Sequence, residues 1–89
     1  MRAIITVVGK DKVGIVGGIT TKLAKQNINI IDINQTIMAE FFTMILMVDL
    51  SKIKEPFDEV KKILMLEGEE LGVEVKIQRE EIFNSMHTV

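Results

Sequence analysis

The 89-residue chain has no cysteine, tryptophan or tyrosine, one proline and one histidine, and each shortage closes off a kind of chemistry. Without cysteine there are no disulfides, thiolate metal sites or cysteine nucleophiles. One histidine, His87, leaves no multi-histidine metal site within a chain. Four phenylalanines are the only aromatics, so stacking platforms for single-stranded nucleic acid are poorly provided. Eleven Lys and Arg residues are scattered from Arg2 to Arg79 against thirteen acids, for a net charge of −2. No basic stripe tracks a phosphate backbone, and direct nucleic-acid binding is not expected. No apolar run approaches the roughly 20 residues of a membrane span, so no membrane partner is expected. Met1-Arg2-Ala3 enters a strand-like run without the charged and apolar regions of a secretory leader, and cytoplasmic residence is the expectation.

What is present is a composition 47% apolar and 27% charged, which places the chain among folded globular proteins. Residues 1–89 read as one domain, with 82–89 as a tail. A domain this small buries a modest share of its surface alone, and a partner subunit would add to it.

Hydrophobic periodicity sets the element order. Ile4-Ile5-Thr6-Val7-Val8 is a strand-like run, and Ile15, Ile19 and Leu23 then recur at helical spacing through residues 14–26. Gly17 and Gly18 lower that helix's stability by about 1 kcal/mol each relative to Ala, so a sheet, ligand or second subunit is expected close to its first turns. Residues 28–38 alternate as a strand, with Ile31, Ile33, Gln35 and Ile37 on one face and Asp32, Asn34 and Thr36 on the other. Ala39-Glu40 turns the chain into a run in which Phe42, Met44, Leu46, Val48 and Leu50 alternate with Phe41, Thr43, Ile45, Met47 and Asp49. Apolar residues on both faces mark this strand as central. After a loop ending at Pro56, Phe57, Val60, Ile63, Leu64 and Leu71 define a second helix that Gly72 stops, and Val73, Val75 and Ile77 alternate as a last strand. The order βαββαβ predicts an α+β, ferredoxin-like sandwich: a four-stranded antiparallel sheet, strands 1 and 3 central, both helices on one face. The spacing of Ile82, Phe83 and Met86 predicts a short terminal helix.

The first strand-to-helix turn, Gly9-Lys10-Asp11-Lys12-Val13-Gly14-Ile15-Val16, carries the functional expectation. Glycines at 9 and 14 permit a sharp turn and close backbone approach, while the free amides of a helix start favour a carboxylate. The plainer alternative is a capped change of direction, with Asp11 accepting a backbone N–H. There is neither the Gly-Lys-Ser/Thr of a P-loop nor a spaced triple glycine, so nucleotide binding is not expected.

Val8-Gly9-Lys10-Asp11-Lys12-Val13-Gly14-Ile15-Val16, followed by Asn29-Ile30, resembles the ACT domain, over essentially residues 1–80. Asp32-Ile33-Asn34-Gln35-Thr36 with Phe41-Phe42-Thr43-Met44 is similar to short stand-alone ACT proteins and to the ACT segments of the glycine-cleavage repressor and formyltetrahydrofolate deformylase. The resemblance implies a regulatory module that senses amino acids or related metabolites, usually as a dimer. Val13 stands where many members carry proline, and Gly9 and Asp11 where serine-sensing members carry histidine and asparagine, so serine specificity is not carried over.

The expected ligand-binding residues are Gly9, Asp11, Lys12, Val13, Gly14, Ile15, Val16, Asn29 and Ile30. Asp11 and Asn29 flank the first helix, roughly 20 Å apart at about 1.5 Å per residue, too far to share one small ligand within a chain. Around a two-fold axis, the turn of one subunit meets Asn29 of the other. Asp32, Asn34 and Thr36 form a second polar cluster, which a solvated or partner-facing sheet surface also explains. Asp11 and Asp32 lack the carboxylate density of a cation loop, and neither a metal nor a cofactor is expected. The expected function is a non-catalytic homodimeric sensor acting on a protein partner. The alternative is a protein-interaction module with an empty ancestral pocket.

Overall fold

Strand alternation and helical periodicity resolve into six elements in the computed structural model, which describes residues 1–10 and 12–82. They are β1 (Arg2–Lys10), α1 (Ile15–Lys25), β2 (Asn29–Met38), β3 (Phe41–Asp49), α2 (Phe57–Leu71) and β4 (Glu74–Arg79). The sheet order is β2-β3-β1-β4, with every neighbouring pair antiparallel. The ferredoxin-like βαββαβ arrangement expected from the sequence is the one found, with β1 and β3 central. The expected terminal helix falls almost wholly on residues 83–89, outside the described residues.

The core is one cluster between the helices and one face of the sheet. Ala3, Ile5 and Val7 of β1 and Phe42, Met44, Leu46 and Val48 of β3 meet Ile15, Ile19 and Leu23 of α1 and Val60 and Leu64 of α2. Two glycines let the layers close. A Cβ on Gly68 would lie 2.6 Å from Val75 Cγ2 and 3.0 Å from the Val73 carbonyl, so α2 rests almost directly on β4. A Cβ on Gly18 would lie 2.9 Å from Leu71 Cδ1, which identifies α2 as the neighbour its lack of a side chain admits. Lys22 and Glu67 tie the same two helices at 3.5 Å. Among the described residues, none outside its own helix comes within 4 Å of where a Cβ on Gly17 would sit, so none of them requires a glycine there.

Helix α2 ends as its sequence dictates: Gly72 adopts φ 74°, and its amide bonds to the Glu69 carbonyl. Asp58 and Glu59 occupy the first turn after Pro56, where acids favour the positive dipole end. In the two-residue connection between β2 and β3, Ala39 takes φ 56°, a left-handed conformation a side chain adopts at some cost.

Strand β2 departs from the expected pattern. A bulge at Ile31 shifts its register against β3, so that Ile30 faces Val48 and Asp32 faces Met47. Ile33, Gln35 and Ile37 pair with Leu46, Met44 and Phe42 and therefore share the helix-side face, whereas Ile31 is the extra residue. The helix layer does not extend over this strand, and every residue from 31 to 40 is exposed. The result is a ten-residue edge strand, apolar in much of its sequence and uncovered on both faces.

Candidate functional site

The expected binding residues divide between two ends of the sheet. Lys10 pairs with Phe41 and Phe41 with Met38, so the end of β1, the entry to α1 and the end of β2 lie together. Arg2 pairs with Asp49 and Asn29 with Asp49, which sets the start of β2 at the opposite end. The nine residues of β1 span roughly 26 Å at about 3.3 Å each. A single chain therefore does not unite the entry to α1 with Asn29.

At the first end, β1 continues through Gly9 and Lys10 instead of turning at Gly9. A Cβ on Gly9 would lie 2.7 Å from Val73 Cγ1, so the close approach this glycine permits is to the residue just before β4. Asp11 lies outside the described residues. Lys12 is exposed, and its Nζ stands 3.2 Å from where a Cβ on Gly72 would sit. That places a cation at the negative end of α2, whose last turn holds no basic residue of its own. Val13 is 100% exposed.

Gly14 is the turn's conformational requirement. It sits at φ 97°, ψ −6°, and among the described residues none beyond its chain neighbours comes within 4 Å of where its Cβ would be, so the backbone angle calls for glycine. Its carbonyl accepts the first helical hydrogen bond, from the Gly18 amide at 2.8 Å. Having no side chain, Gly14 cannot cap α1, and the first turn contains no acidic residue. The helix thus starts with first-turn amides and a positive dipole end that the N-cap residue does not satisfy, an arrangement suited to an anion. Ile15 is buried and Val16 packs against the core, so their side chains fix the helix start while their amides have no acceptor within the helix.

At the other end Asn29 is exposed and Ile30 half-buried. The bulge at Ile31 brings Asn29, in place of Ile30, opposite Asp49. The Asp49 carboxylate accepts a hydrogen bond from the Ser51 amide at 2.9 Å and lies 4.0 Å from the Met1 amino group. The bonds from Ser51, with help from the amino terminus and Lys52, hold its pKa below the ordinary aspartate value. Asp49 is a charged neighbour of Asn29 that hydropathy alone did not reveal. Hairpin pairing counted back from Ala39-Glu40 would have found it only with the bulge included.

Asp32, Asn34 and Thr36 share the face of the sheet away from the helices. Asp32 and Asn34 border a depression of about 130 Å³ floored by Ile4, Ile45 and Met47. Along α2 and β4, a hollow of about 390 Å³ is lined by Met65, Glu69, Gly72, Val73, Glu74 and Val75. Among the described residues, no group of three or more His, Asp or Glu is arranged to hold a metal ion, and no helix is long and apolar enough to cross a membrane.

Fold and turn together define a small ferredoxin-like module with a glycine-initiated first helix, and residues 2–78 match the family model of the ACT domain. The chain belongs to the ACT domain family. It is 61% identical over 87 residues to a UPF0237 protein of Listeria innocua, covering 98% of both chains. It is 50% identical over 88 residues to a UPF0237 protein of Methanocaldococcus jannaschii, covering 99% of this chain and 98% of that one. Among solved structures, an ACT domain protein from Streptococcus pneumoniae superimposes with a TM-score of 0.83 at 46% identity, over 93% of each chain. The fold alone is shared with a formyltetrahydrofolate deformylase from Pseudomonas putida, at TM-score 0.78 and 14% identity over 88% of this chain and 28% of that one. The same holds for a protein described as a glycine cleavage system transcriptional repressor, at TM-score 0.74 and 24% identity over 88% of this chain and 44% of that one. ACT domains are regulatory and often ligand-binding modules.

Proposed function

We propose that the protein is a non-catalytic, cytoplasmic homodimeric sensor that binds an amino acid or related small metabolite at the subunit interface and passes that state to a protein partner. The observation that carries this reading is β2, an apolar edge strand left uncovered on both faces. Such an edge offers a full row of unpaired backbone groups to another strand. A second copy pairing antiparallel along β2 would set the Asn29 end of one subunit beside the Met38 and α1-entry end of the other, because those two ends are opposite in each chain. Two equivalent sites follow from the two-fold axis.

In each site the amides of Gly14, Ile15 and Val16 would receive the ligand carboxylate, Asp11 its ammonium group, and the partner's Asn29 a neutral polar atom. The partner's Asp49, beside that Asn29 and held ionised by Ser51, adds a second anion for the ammonium. Binding at a shared site shifts the monomer–dimer balance only by the ligand's differential affinity for the two states. The regulated protein would read dimer stability.

Complementation tests the shared site. Asp11→Ala and Asn29→Ala homodimers should each lose ligand binding, and mixing the two should restore one working site per heterodimer, seen by calorimetry as about a quarter of the wild-type stoichiometry in an equal mixture at statistical exchange. Absence of any recovery rejects the shared site.

A further inference from the structure

We propose that the outer edge of β4, walled by α2, is a docking groove for an extended segment of another protein, taken up antiparallel as a fifth strand. The segment alternates apolar and charged residues, with acid toward its amino end and base toward its carboxyl end. Its source is the protein partner of the sensor reading above, and that reading supplies the partner's existence.

Strand β4 pairs with β1 and, among the described residues, with no other strand, so it forms the second edge of the sheet. The chain turns at Gly72 and β4 runs back beside α2, with Gly68 letting helix and strand lie in contact. Lys61, Met65 and Glu69 are four residues apart and share one face of α2. Two hollows lie between this helix face and β4, of about 390 Å³ and about 260 Å³. Met65 and Val75 line both, which joins them into one groove. Met65 stands 47% exposed at its middle, and its unbranched side chain adapts to varied apolar partners.

Each end of the groove carries one sign of charge. Glu69 and Glu74 line the hollow at the negative end of α2, while Lys61 and Lys76 line the other. Val75 and Ile77 pair with Val7 and Ile5 on the helix side of the sheet, and Glu74 and Lys76 alternate with them on the open side. Glu74 and Lys76 form an exposed pair at 3.3 Å within the chain, available to exchange partners. A strand added antiparallel, as every neighbouring pair in this sheet is, meets Ile77, Lys76, Val75 and Glu74 in that order. The matching sequence is apolar, acidic, apolar, basic. The helix wall asks for the same polarity, because the acidic end passes Lys61 and the basic end passes Glu69.

Length decides the class of occupant. The six residues of β4 present roughly 20 Å of edge at about 3.3 Å each, and strand backbone is satisfied by another strand, not by a single small metabolite. A second copy is already assigned to β2, and copies joined at both edges would run on into an endless sheet instead of a closed assembly. Edge addition beside a lined groove is an established mode of peptide recognition, with main-chain bonds giving affinity and side-chain pockets giving specificity.

Fluorescence anisotropy with the labelled, end-blocked peptide Asp-Val-Glu-Leu-Lys-Val-Lys tests this on the full-length protein without metabolite. Binding should saturate at one peptide per chain. Lys76→Glu replaces an opposite-charge cross-strand pair by a like-charge one and should weaken binding about tenfold. A peptide with Lys in place of its Glu should recover that loss on the variant, which a general loss of fold would not allow. An added antiparallel strand uses every second amide. Of two peptides N-methylated at alternate residues, one should therefore bind and the other fail. No saturable binding, or equal binding of both methylated peptides, overturns the proposal. A lower light-scattering mass for Lys76→Glu without peptide assigns the edge to a second copy and also overturns it. Failure here leaves any metabolite-dependent shift in melting temperature standing, and loss of that shift leaves peptide binding standing, so the two readings fail separately.

Discussion

Replacing Gly68 by Ala should lower the melting temperature by roughly 5–15 °C, whereas the same replacement at Gly17 should raise it by a few degrees. Both glycines lie in helices, where alanine is favoured by about 1 kcal/mol. The difference is what the new methyl group meets. At Gly68 it would be 2.6 Å from Val75 Cγ2 and 3.0 Å from the Val73 carbonyl, so the neighbours include backbone leading into β4 as well as a side chain. Overpacking costs about 1–3 kcal/mol, and a contact this short against both a side chain and a carbonyl puts Gly68 in the upper half of that range; less the propensity gain, the net loss is about 1–2 kcal/mol, at roughly 4–8 °C per kcal/mol for a domain of this size. At Gly17 no described residue outside its own helix comes within 4 Å, so the propensity gain stands alone. Circular dichroism melts decide it: a stabilised Gly68→Ala protein would mean that α2 and β4 are not in this close contact. Gly17 is one residue beyond the amides assigned to the ligand carboxylate. A Gly17→Ala protein that melts higher yet binds ligand more weakly would point to a bound group occupying the open space.

The double variant Ile33→Lys, Ile37→Lys should remain folded and lose self-association by two or more orders of magnitude. Both residues lie on the helix-side face of β2 beyond the reach of the helices, and Ile37 is 57% exposed in the single chain. Lysine there keeps its head in water in the monomer. On an edge paired with a second copy, four lysines would crowd one seam, the device by which natural edge strands resist pairing. A hundredfold loss corresponds to about 2.7 kcal/mol, and sedimentation equilibrium resolves it. A variant that self-associates as tightly as the wild type removes β2 from the interface.

The order of elements was legible because burial imposes period 2 or 3.6 on each segment, and β3, apolar on both faces, announced its central position. Pro56, Gly72 and Gly14 marked helix ends by their backbone requirements, which are local and so visible in sequence. Three features were not legible, each for the same reason: they arise between segments. The bulge at Ile31 sits in a run of β-branched residues that alternates equally well in either register, and it reassigns Asn29 to the side of Asp49. Gly9 reads as a turn glycine by position, but its requirement is the Val73 side chain more than sixty residues away. Gly17 and Gly18 look alike in sequence, and only the approach of Leu71 to Gly18 tells them apart. The eight expected site residues that the structure describes fall at opposite ends of the sheet, which is why the functional reading depends on a second copy of the chain.

The first measurement to make is thermal unfolding of the full-length protein against a panel of the twenty amino acids, nucleobases and folate derivatives. A ligand that binds only the native dimer stabilises it by about 2.7 kcal/mol at a hundredfold excess over Kd, which is a shift of roughly 10–20 °C for a domain of this size. A metabolite-sensing ACT dimer should give a saturable shift with one ligand class, abolished in Asp11→Ala and in Asn29→Ala. No shift across the panel would contradict the sensor and leave the ACT module as a protein-interaction surface with an empty pocket.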